Sequence, residues 1–513
     1  MLQRKEYQID FISNMIYDRL IPKNHILVKI SETVDFSYIY EIVKDRYSNK
    51  GRNSIDPVMM FKICLIEFFY NLSDVEVVQR IKTDVAFRWF LGLNIDDEVP
   101  DDSTISHFRT QRLKAGDFEN IFNGLVNKCI ESNLIKTNRF IIDSTNVDAN
   151  TNYPRKKELI MQAFEKFIRT LRRINPEYVN KKLAEYESLV EGIRKEDGTI
   201  DKKELAKLTR TQTEKIYEEM KTKIDEDSKA KHALEICQKL SSQIEAGTNK
   251  DAIVSVADED ARVSHKTPSK VIRGYKNHII VDEESEIIIS STQTPANVGD
   301  EKELQKLIEN VEETYEIKPR EVMADKVYGT NENRAYLKEK DIISTINFYD
   351  NKEKEYKKFD LSKFEISEDL SYAKCPFGCQ SIKTVKFEKT NKIKYTFDKT
   401  ICETCPFKSD CYGNDSKFKS GRYIKIDYNY DGVIRDKSRN KQVDFEKTMK
   451  KRFKIERRFA TMVRKFGLRR SRYRGLERTR IHIIMCNFAN NVLRMVNLLS
   501  AKTAEYQPRV AIA

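Results

Sequence analysis

Two aspartates and one glutamate carry the chemistry this sequence can do. Arg139-Phe140-Ile141-Ile142 is a short apolar run that reads as a strand ending at Asp143, and Glu321-Val322-Met323-Ala324 is a second, ending at Asp325. In open α/β sheets pockets collect at the carboxyl ends of strands, so an acid there is either a turn residue or a site residue. The third acid lies between Met449 and Gly475. At helical period Met449, Phe453, Glu456, Ala460 and Val463 form one stripe, apolar except at Glu456. A carboxylate in a buried stripe must be protonated, paired or bound to a metal, because uncompensated loss of hydration is costly. Arg452, one turn earlier, is the partner that a purely structural pair would use. Three carboxylates without a neighbouring His suit hard divalent cations such as Mg²⁺ or Mn²⁺. Two such ions serve phosphodiester chemistry, one at the attacking oxygen and one at the leaving oxygen.

Cations crowd the same stretch. Arg452, Lys454, Arg457, Arg458, Arg464 and Lys465 surround Glu456, and Arg469, Arg470, Arg472 and Arg474 follow. From Ile434 to Arg480, 19 Lys and Arg stand against 5 Asp and Glu, a local charge of +14 on a chain whose total is +13. A block this concentrated favours a polyanion bound at one place, most simply nucleic acid, over a solvated basic face. Such cations hold the phosphate backbone largely without reading sequence.

The 9 cysteines divide into two kinds. Cys64, Cys129, Cys237 and Cys486 are isolated in apolar or helical surroundings and read as inert core thiols. Cys375, Cys379, Cys402, Cys405 and Cys411 crowd into one stretch as C-x₃-C and C-x₂-C-x₅-C. In a chain without a secretory signal such a cluster points to metal, and tetrahedral Zn²⁺ takes four thiolates. One of the five is then spare, Cys379 or Cys411; free thiols in a loop insertion are the alternative.

The elements that must position these groups are of several textures. Residues 1–135 read as all-helical: Asp56-Pro57 starts an apolar helix through Phe69, Ser73-Asp74-Val75-Glu76 is a capping box, Val85–Leu91 is a short helix, and Asp102-Ser103 caps another. After the first strand, residues 154–247 are dense in Lys and Glu with sparse apolar positions, which predicts a protruding, solvated helical arm whose role is a spacer or a subunit contact. Asn277–Val281 and Glu286–Thr292 predict a hairpin across Asp282–Ser285. Helices near Lys302–Tyr315 and Asn333–Lys340 alternate with the second acidic strand and with a strand near Ile342–Phe348, so the centre is a mixed α/β sheet. With 39% hydrophobic and 34% charged residues, the chain has the composition of a soluble globular protein of two to four domains. No run reaches the roughly 18 apolar residues of a membrane span, and MLQRKEYQIDF lacks the apolar core of a signal peptide, so a cytoplasmic location is expected.

IIDSTNVDAN, DEDARVSHKTPSKVIRGYKNHIIVD, TPANVGD, VMADKVYG and RFKIERRFATMVRKFGLRRSRYRG, in this order, resemble a bacterial insertion-sequence transposase of the DDE type, over most of the chain. The resemblance implies a ribonuclease-H-like mixed sheet, with Asp143 and Asp325 as the catalytic aspartates on strands and Glu456 as the catalytic glutamate on a later helix. The family often has a Tyr seven residues before its Glu, an Arg four before and a Lys seven after; here Met449, Arg452 and Val463 stand there, so only the Arg matches. The arrangement implied is an N-terminal helical DNA-binding or dimerisation domain (1–135), a catalytic core in pieces (136–153, 248–350 and 431–500), the helical insertion (154–247), a Cys-rich insertion (351–430) and a tail (501–513). Two Mg²⁺ or Mn²⁺ ions, double-stranded DNA as element ends and target, a homo-oligomer on that DNA, and association with the nucleoid are implied as well. Lys276 and His278 alternate to one face of their strand and line the cleft in this reading, while Tyr328 stacks near the scissile end or simply packs. Two alternatives use the same residues: a transposase-derived DNA-binding protein that no longer cuts, and a stand-alone metal-dependent nuclease.

Overall fold

The computed structural model describes residues 2, 4, 8–48, 50, 51, 53–247, 251–267, 270–347, 363–367, 369–388, 391–412, 421–428, 436, 439, 442 and 444–505. Phe348, residues 351–362 of the Cys-rich stretch and residues 506–513 of the tail lie outside them.

The N-terminal helices are α1 (Phe11–Leu20), α2 (Ile26–Thr33), α3 (Tyr38–Val43), α4 (Pro57–Phe69), α5 (Asp74–Thr83), α6 (Val85–Leu91), α7 (Asp102–His107) and α8 (Ala115–Glu131). Their starts follow capping chemistry. Asp56 accepts the amides of Val58 and Met59 at 2.7 and 3.0 Å with Pro57 in the first helical position. Ser73 and Glu76 make both halves of a capping box. The cap of α7 is Asp101, whose carboxylate accepts the Thr104 amide, one residue earlier than the sequence suggested.

The sheet contains β1 (Arg139–Asp148), β2 (Arg262–Thr267), β3 (Lys270–Asp282), β4 (Ile288–Pro295), β5 (Glu321–Ala324) and β6 (Ile343–Ile346). Its order is β2-β3-β1-β5-β6, with β4 also on β3. β1 runs antiparallel to β3, and β3 to β4, whereas β5 is parallel to β1 and β6 to β5. This mixed pattern is consistent with a ribonuclease-H-like sheet. The β3–β4 hairpin is as predicted, with Asp282 accepting both the amide and the hydroxyl of Ser285 in its turn. Phe140, Ile141 and Ile142 are all fully buried, so both faces of the sheet are covered at that level. α13 (Leu304–Tyr315) and α14 (Asn331–Glu339) connect the later strands.

One core runs from the N-terminal helices through the sheet to the last two helices. Three C-terminal helices, α17 (Phe445–Lys450), α18 (Phe453–Lys465) and α19 (Leu476–Glu505), follow the Cys-rich stretch. Phe488 of α19 meets Phe61 of α4 edge-on at 5.1 Å, and Asn491 exchanges two hydrogen bonds with the Ile288 backbone of β4 at 2.9 and 2.7 Å. No helix among the described residues is long and apolar enough to cross a membrane.

Residues 154–247 differ from the solvated arm expected. α9 (Lys156–Thr170), α10 (Pro176–Gly192), α11 (Lys202–Glu226) and α12 (Ser228–Ala246) enclose a core of their own, including Phe164, Phe167, Leu205, Ile216, Cys237 and Leu240. Small residues let α12 pack closely: Ala230, Ala233, Cys237 and Ser241 recur along its buried face. High charge density hid a stripe that is narrow but continuous.

In the Cys-rich stretch β7 (Glu365–Ile366) pairs with β8 (Ala373–Lys374), and β9 (Lys383–Phe387), β10 (Lys392–Thr396) and β11 (Tyr423–Asp427) form a three-stranded antiparallel sheet. α15 (Lys399–Thr404) and α16 (Lys408–Tyr412) lie between β10 and β11. Phe364, Ile393, Tyr395, Phe397, Ile424 and Ile426 give it a separate small core.

Candidate active site

The parallel register of β1 and β5 sets Ile142 beside Ala324. The next residue on each strand is an aspartate, so Asp143 and Asp325 emerge side by side from neighbouring strands. β1 does not end at Asp143 as the sequence implied. It continues on β3 to Asp148, and only its pairing with β5 stops. The Ser144 amide donates to Asp143 Oδ1 at 2.8 Å, and the Lys326 amide to Asp325 Oδ1 at 2.7 Å. Between the two carboxylates lies one guanidinium: Arg452 is 3.1 Å from Asp143 Oδ2 and 3.8 Å from Asp325 Oδ1. Burial pushes the Asp143 carboxyl above its ordinary range; Arg452 opposes this, while Asp325 and Asp300 add to it. The site therefore strains against holding two negative charges without a cation.

Glu456 is not in a buried stripe. The buried face of α18 is Ile455, Arg458, Phe459 and Met462; Glu456 is exposed and Phe453 is 55% exposed. Glu456 forms no ion pair among the described residues, and Arg452, its expected structural partner, pairs with the aspartates instead. The expected stripe is one residue out of phase: within α18, Glu456, Ala460 and Val463 each follow a buried residue, Ile455, Phe459 and Met462, while Met449 belongs to α17. Glu456 still follows Arg452 by one turn, the spacing that puts two side chains on the same helix face. Among the described residues no three His, Cys, Asp or Glu side chains converge as a ready metal site.

The basic block divides on folding. Arg458 is buried against Glu286, where Arg457 also pairs, and Lys451 and Lys454 hold Glu283 at 3.1 and 2.7 Å. Arg472 reaches Glu67 at 3.1 Å. Lys454, Arg458 and Arg472 are thereby internal struts, whereas Arg457 pairs with Glu286 from a half-exposed position. Arg464, Lys465, Arg469, Arg470 and Arg474 stay exposed. The Arg469–Ser471 segment is stitched to the end of β1: the Asp148 amide donates to Arg469 O, and the Ser471 amide to Asp148 O, both at 2.8 Å. The exposed arginines are thereby fixed beside the strand that carries Asp143.

Two family matches bear on this geometry. A Transposase domain (DUF772) matches residues 15–111, and a Transposase DDE domain matches residues 136–492. The chain belongs to the DDE transposases. No solved structure matches it. The family generally uses divalent metal ions such as Mg²⁺ and acts on DNA, so this insertion-sequence transposase is an enzyme with a DNA substrate.

Around the aspartates of the transposase, Tyr328 is buried and Lys276 nearly so, and neither offers an open stacking surface. His278 is fully buried, its Nε2 is 2.8 Å from Thr294 Oγ1, and burial depresses its pKa to about 4. Lys276 donates to Asp300 at 2.7 Å, and Ser144 Oγ to the other Asp300 oxygen at 2.9 Å. Asp300 had no role assigned from the sequence; its only signal was its place at the end of TPANVGD.

The five clustered thiols line one cavity of about 30 Å³, with Phe377, Phe397, Phe407 and Arg422. Burial raises the thiols of Cys64 and Cys129 to about 12 and that of Cys237 to about 11, and it raises Cys486 too. Iodoacetamide acting on chelator-treated native transposase is therefore expected to modify Cys375, Cys379, Cys402, Cys405 and Cys411 and to spare the other four, as peptide mass spectrometry would show. Rapid modification of Cys64 or Cys486 would contradict the burial described.

Proposed function

We propose that this transposase cleaves DNA at the ends of its insertion sequence and joins the freed ends to target DNA, with Asp143, Asp325 and Glu456 as its acidic triad. The observation that supports this best is the meeting of Asp143 and Asp325 at adjacent strand ends around a single cation. Two carboxylates that already share a guanidinium in a half-buried cleft fit a divalent ion with hard oxygen donors, and Glu456, one turn beyond Arg452, is the third donor. When bound, Mg²⁺ or Mn²⁺ supplies charge stabilisation at the attacking and leaving oxygens. The chain's own part is positional. β1 and β5 fix the two aspartates, the Ser144 and Lys326 amides orient them, and Arg452 keeps them together. Water attacks a phosphodiester at the element end and releases a 3′-hydroxyl, which then attacks a target phosphodiester; no covalent enzyme intermediate is required. The N-terminal helices hold the DNA ends in this reading, and a homo-oligomer brings two ends together.

Arg464, Lys465, Arg469, Arg470 and Arg474 are the cations that hold the DNA backbone. Replacing Arg464, Lys465 or Arg469 by Ala is expected to reduce the slope of log K against log[salt] by about one for each phosphate no longer neutralised, uniformly across DNA sequences. Arg458→Ala should lower stability instead, and a slope unchanged in all three surface variants would remove this face from the DNA path.

The five clustered thiols are proposed as a separate structural Zn²⁺ site. The five soft thiols line one cavity, and a bound ion would draw four of them together, since no three converge as a ready site among the described residues. Cys375, Cys402 and Cys405 would be ligands, with Cys379 or Cys411 the fourth; both of these thiols are raised by burial and by the neighbouring cysteines. Zinc content of the purified protein, lost in Cys402→Ser, tests the site.

The test of the whole reading is Mg²⁺-dependent cleavage and joining of a plasmid carrying the element's ends. Cut and joined product is expected. Binding without cleavage would mark a DNA-binding protein, and cutting without joining a nuclease.

A further inference from the structure

From Asp143 β1 loses its β5 neighbour, and β3 is its only strand partner until Asp148 bridges to Arg470. A carboxylate needed in one direction thus sits where the strand has lost half its support. Behind it is a buried clamp. Ser144 pairs with His278 across the β1–β3 ladder, and Asn146 with Lys276, so His278 and Lys276, two residues apart, present one face of β3 beside Ser144. Asp300, just after β4, closes that face. One of its oxygens accepts from Ser144 Oγ at 2.9 Å. The other accepts from Lys276 Nζ at 2.7 Å and lies 4.0 Å from His278 Nδ1. Lys276 also donates to the Val298 carbonyl at 2.7 Å, so the ammonium that neutralises Asp300 is itself fixed. Ser144 is the link: its hydroxyl is tied to Asp300 and its amide to the Asp143 carboxylate.

We infer that Asp300 is a positioning residue of the active site, acting through Ser144 to aim the Asp143 carboxylate at the metal position beside Asp325. It does not touch the reacting atoms. Its charge is committed to Lys276, and its geometric task is to replace the missing strand support at the point where β1 and β5 part. Partners that orient a metal-binding carboxylate without binding the ion typically contribute about 10- to 100-fold to metal affinity or activity.

The inference rests on the reading of Asp143 as a metal-binding acid, and the experiment separates the two. Mn²⁺ binding to the full-length protein is titrated by electron paramagnetic resonance, alongside plasmid cleavage as a function of Mg²⁺. Asp300→Ala and Ser144→Ala are each expected to weaken Mn²⁺ binding about tenfold or more and to raise the Mg²⁺ needed for half-maximal cleavage, with DNA binding unchanged. Because they act through one link, the double variant should be little worse than either single. Asp300→Asn, which keeps an acceptor for Ser144, should recover part of the loss. Ser144→Ala removes a single hydroxyl, so it reports even if Asp300→Ala lowers the melting temperature. If both single variants bind Mn²⁺ and cleave as wild type does, or if their effects simply add, Asp300 is not acting through Ser144. If wild type binds no Mn²⁺ and Asp143→Asn changes nothing, the underlying reading fails instead.

Discussion

Asp143→Asn and Asp325→Asn are each expected to reduce cleavage and joining by at least about a thousandfold while leaving DNA binding intact. Asn keeps the shape and one acceptor oxygen, so the Ser144 and Lys326 amides retain their partners. What disappears is the negative charge that a divalent ion requires, and stabilisation of several kcal/mol at the transition state goes with it. Glu456→Gln carries the same expectation for a different structural reason. Its side chain is exposed on α18 and unpaired among the described residues, so the exchange should leave the melting temperature where it was. A plasmid assay with all three variants, each checked for DNA binding and thermal melting, tests the triad. Normal cutting by Glu456→Gln would remove it from the centre and leave the two aspartates to find another third acid.

The second large effect concerns stability. Glu67→Ala is expected to destabilise the protein by about 3–5 kcal/mol, read as a lower denaturation midpoint. Glu67 lies on α4 and is 1% exposed, yet it meets two guanidiniums: Arg109 Nη1 at 2.5 Å and Arg472 Nη1 at 3.1 Å. Arg109 is buried as well and turns its other nitrogen to Asp74. Arg472 also donates to the Glu67 carbonyl at 3.3 Å and to Asn71 Oδ1 at 3.0 Å. Removing the carboxylate strands one deeply buried cation with Asp74 alone and loosens the other, which fastens the basic C-terminal segment to the N-terminal helices. Glu76→Ala, at the exposed N3 position of a capping box, is the control and should lower stability far less. An unfolding free energy within about 0.5 kcal/mol of wild type for Glu67→Ala would show that the cluster contributes no net stability.

The aspartates were legible because each closes an apolar run, and such runs leave few alternatives to a buried strand. Their side-by-side register was not, since parallel pairing of β1 and β5 joins residues far apart in sequence. Glu456 shows the opposite case. Its position in the family motif was readable, but the stripe drawn through it was one residue out of phase: Ile455, Phe459 and Met462, at the same spacing, are the residues α18 buries. The basic block was visible as composition, yet composition cannot tell which cations have an internal acid waiting. Glu67, Glu283 and Glu286 claim Arg472, Lys451, Lys454, Arg457 and Arg458 from distant parts of the chain. In residues 154–247 the abundance of Lys and Glu masked a core of Leu, Ile, Val and Phe spread thinly over four helices, with small residues along one face of α12. Asp300 was hidden for a related reason: an acid in a loop carries no periodic signal, and only the fold brings Ser144 and Lys276 to it.

The Arg452–Asp143 contact joins residues 309 apart in the chain. A ribosome working from the N-terminus therefore releases the first aspartate long before the helix that will face it, and α19, which locks β4 to the N-terminal helices, comes later still. A partly made or prematurely terminated chain carries the acids but not the framework that holds them together. For most of its synthesis the enzyme therefore has its two aspartates without the guanidinium that holds them together, and that partner arrives only with α18.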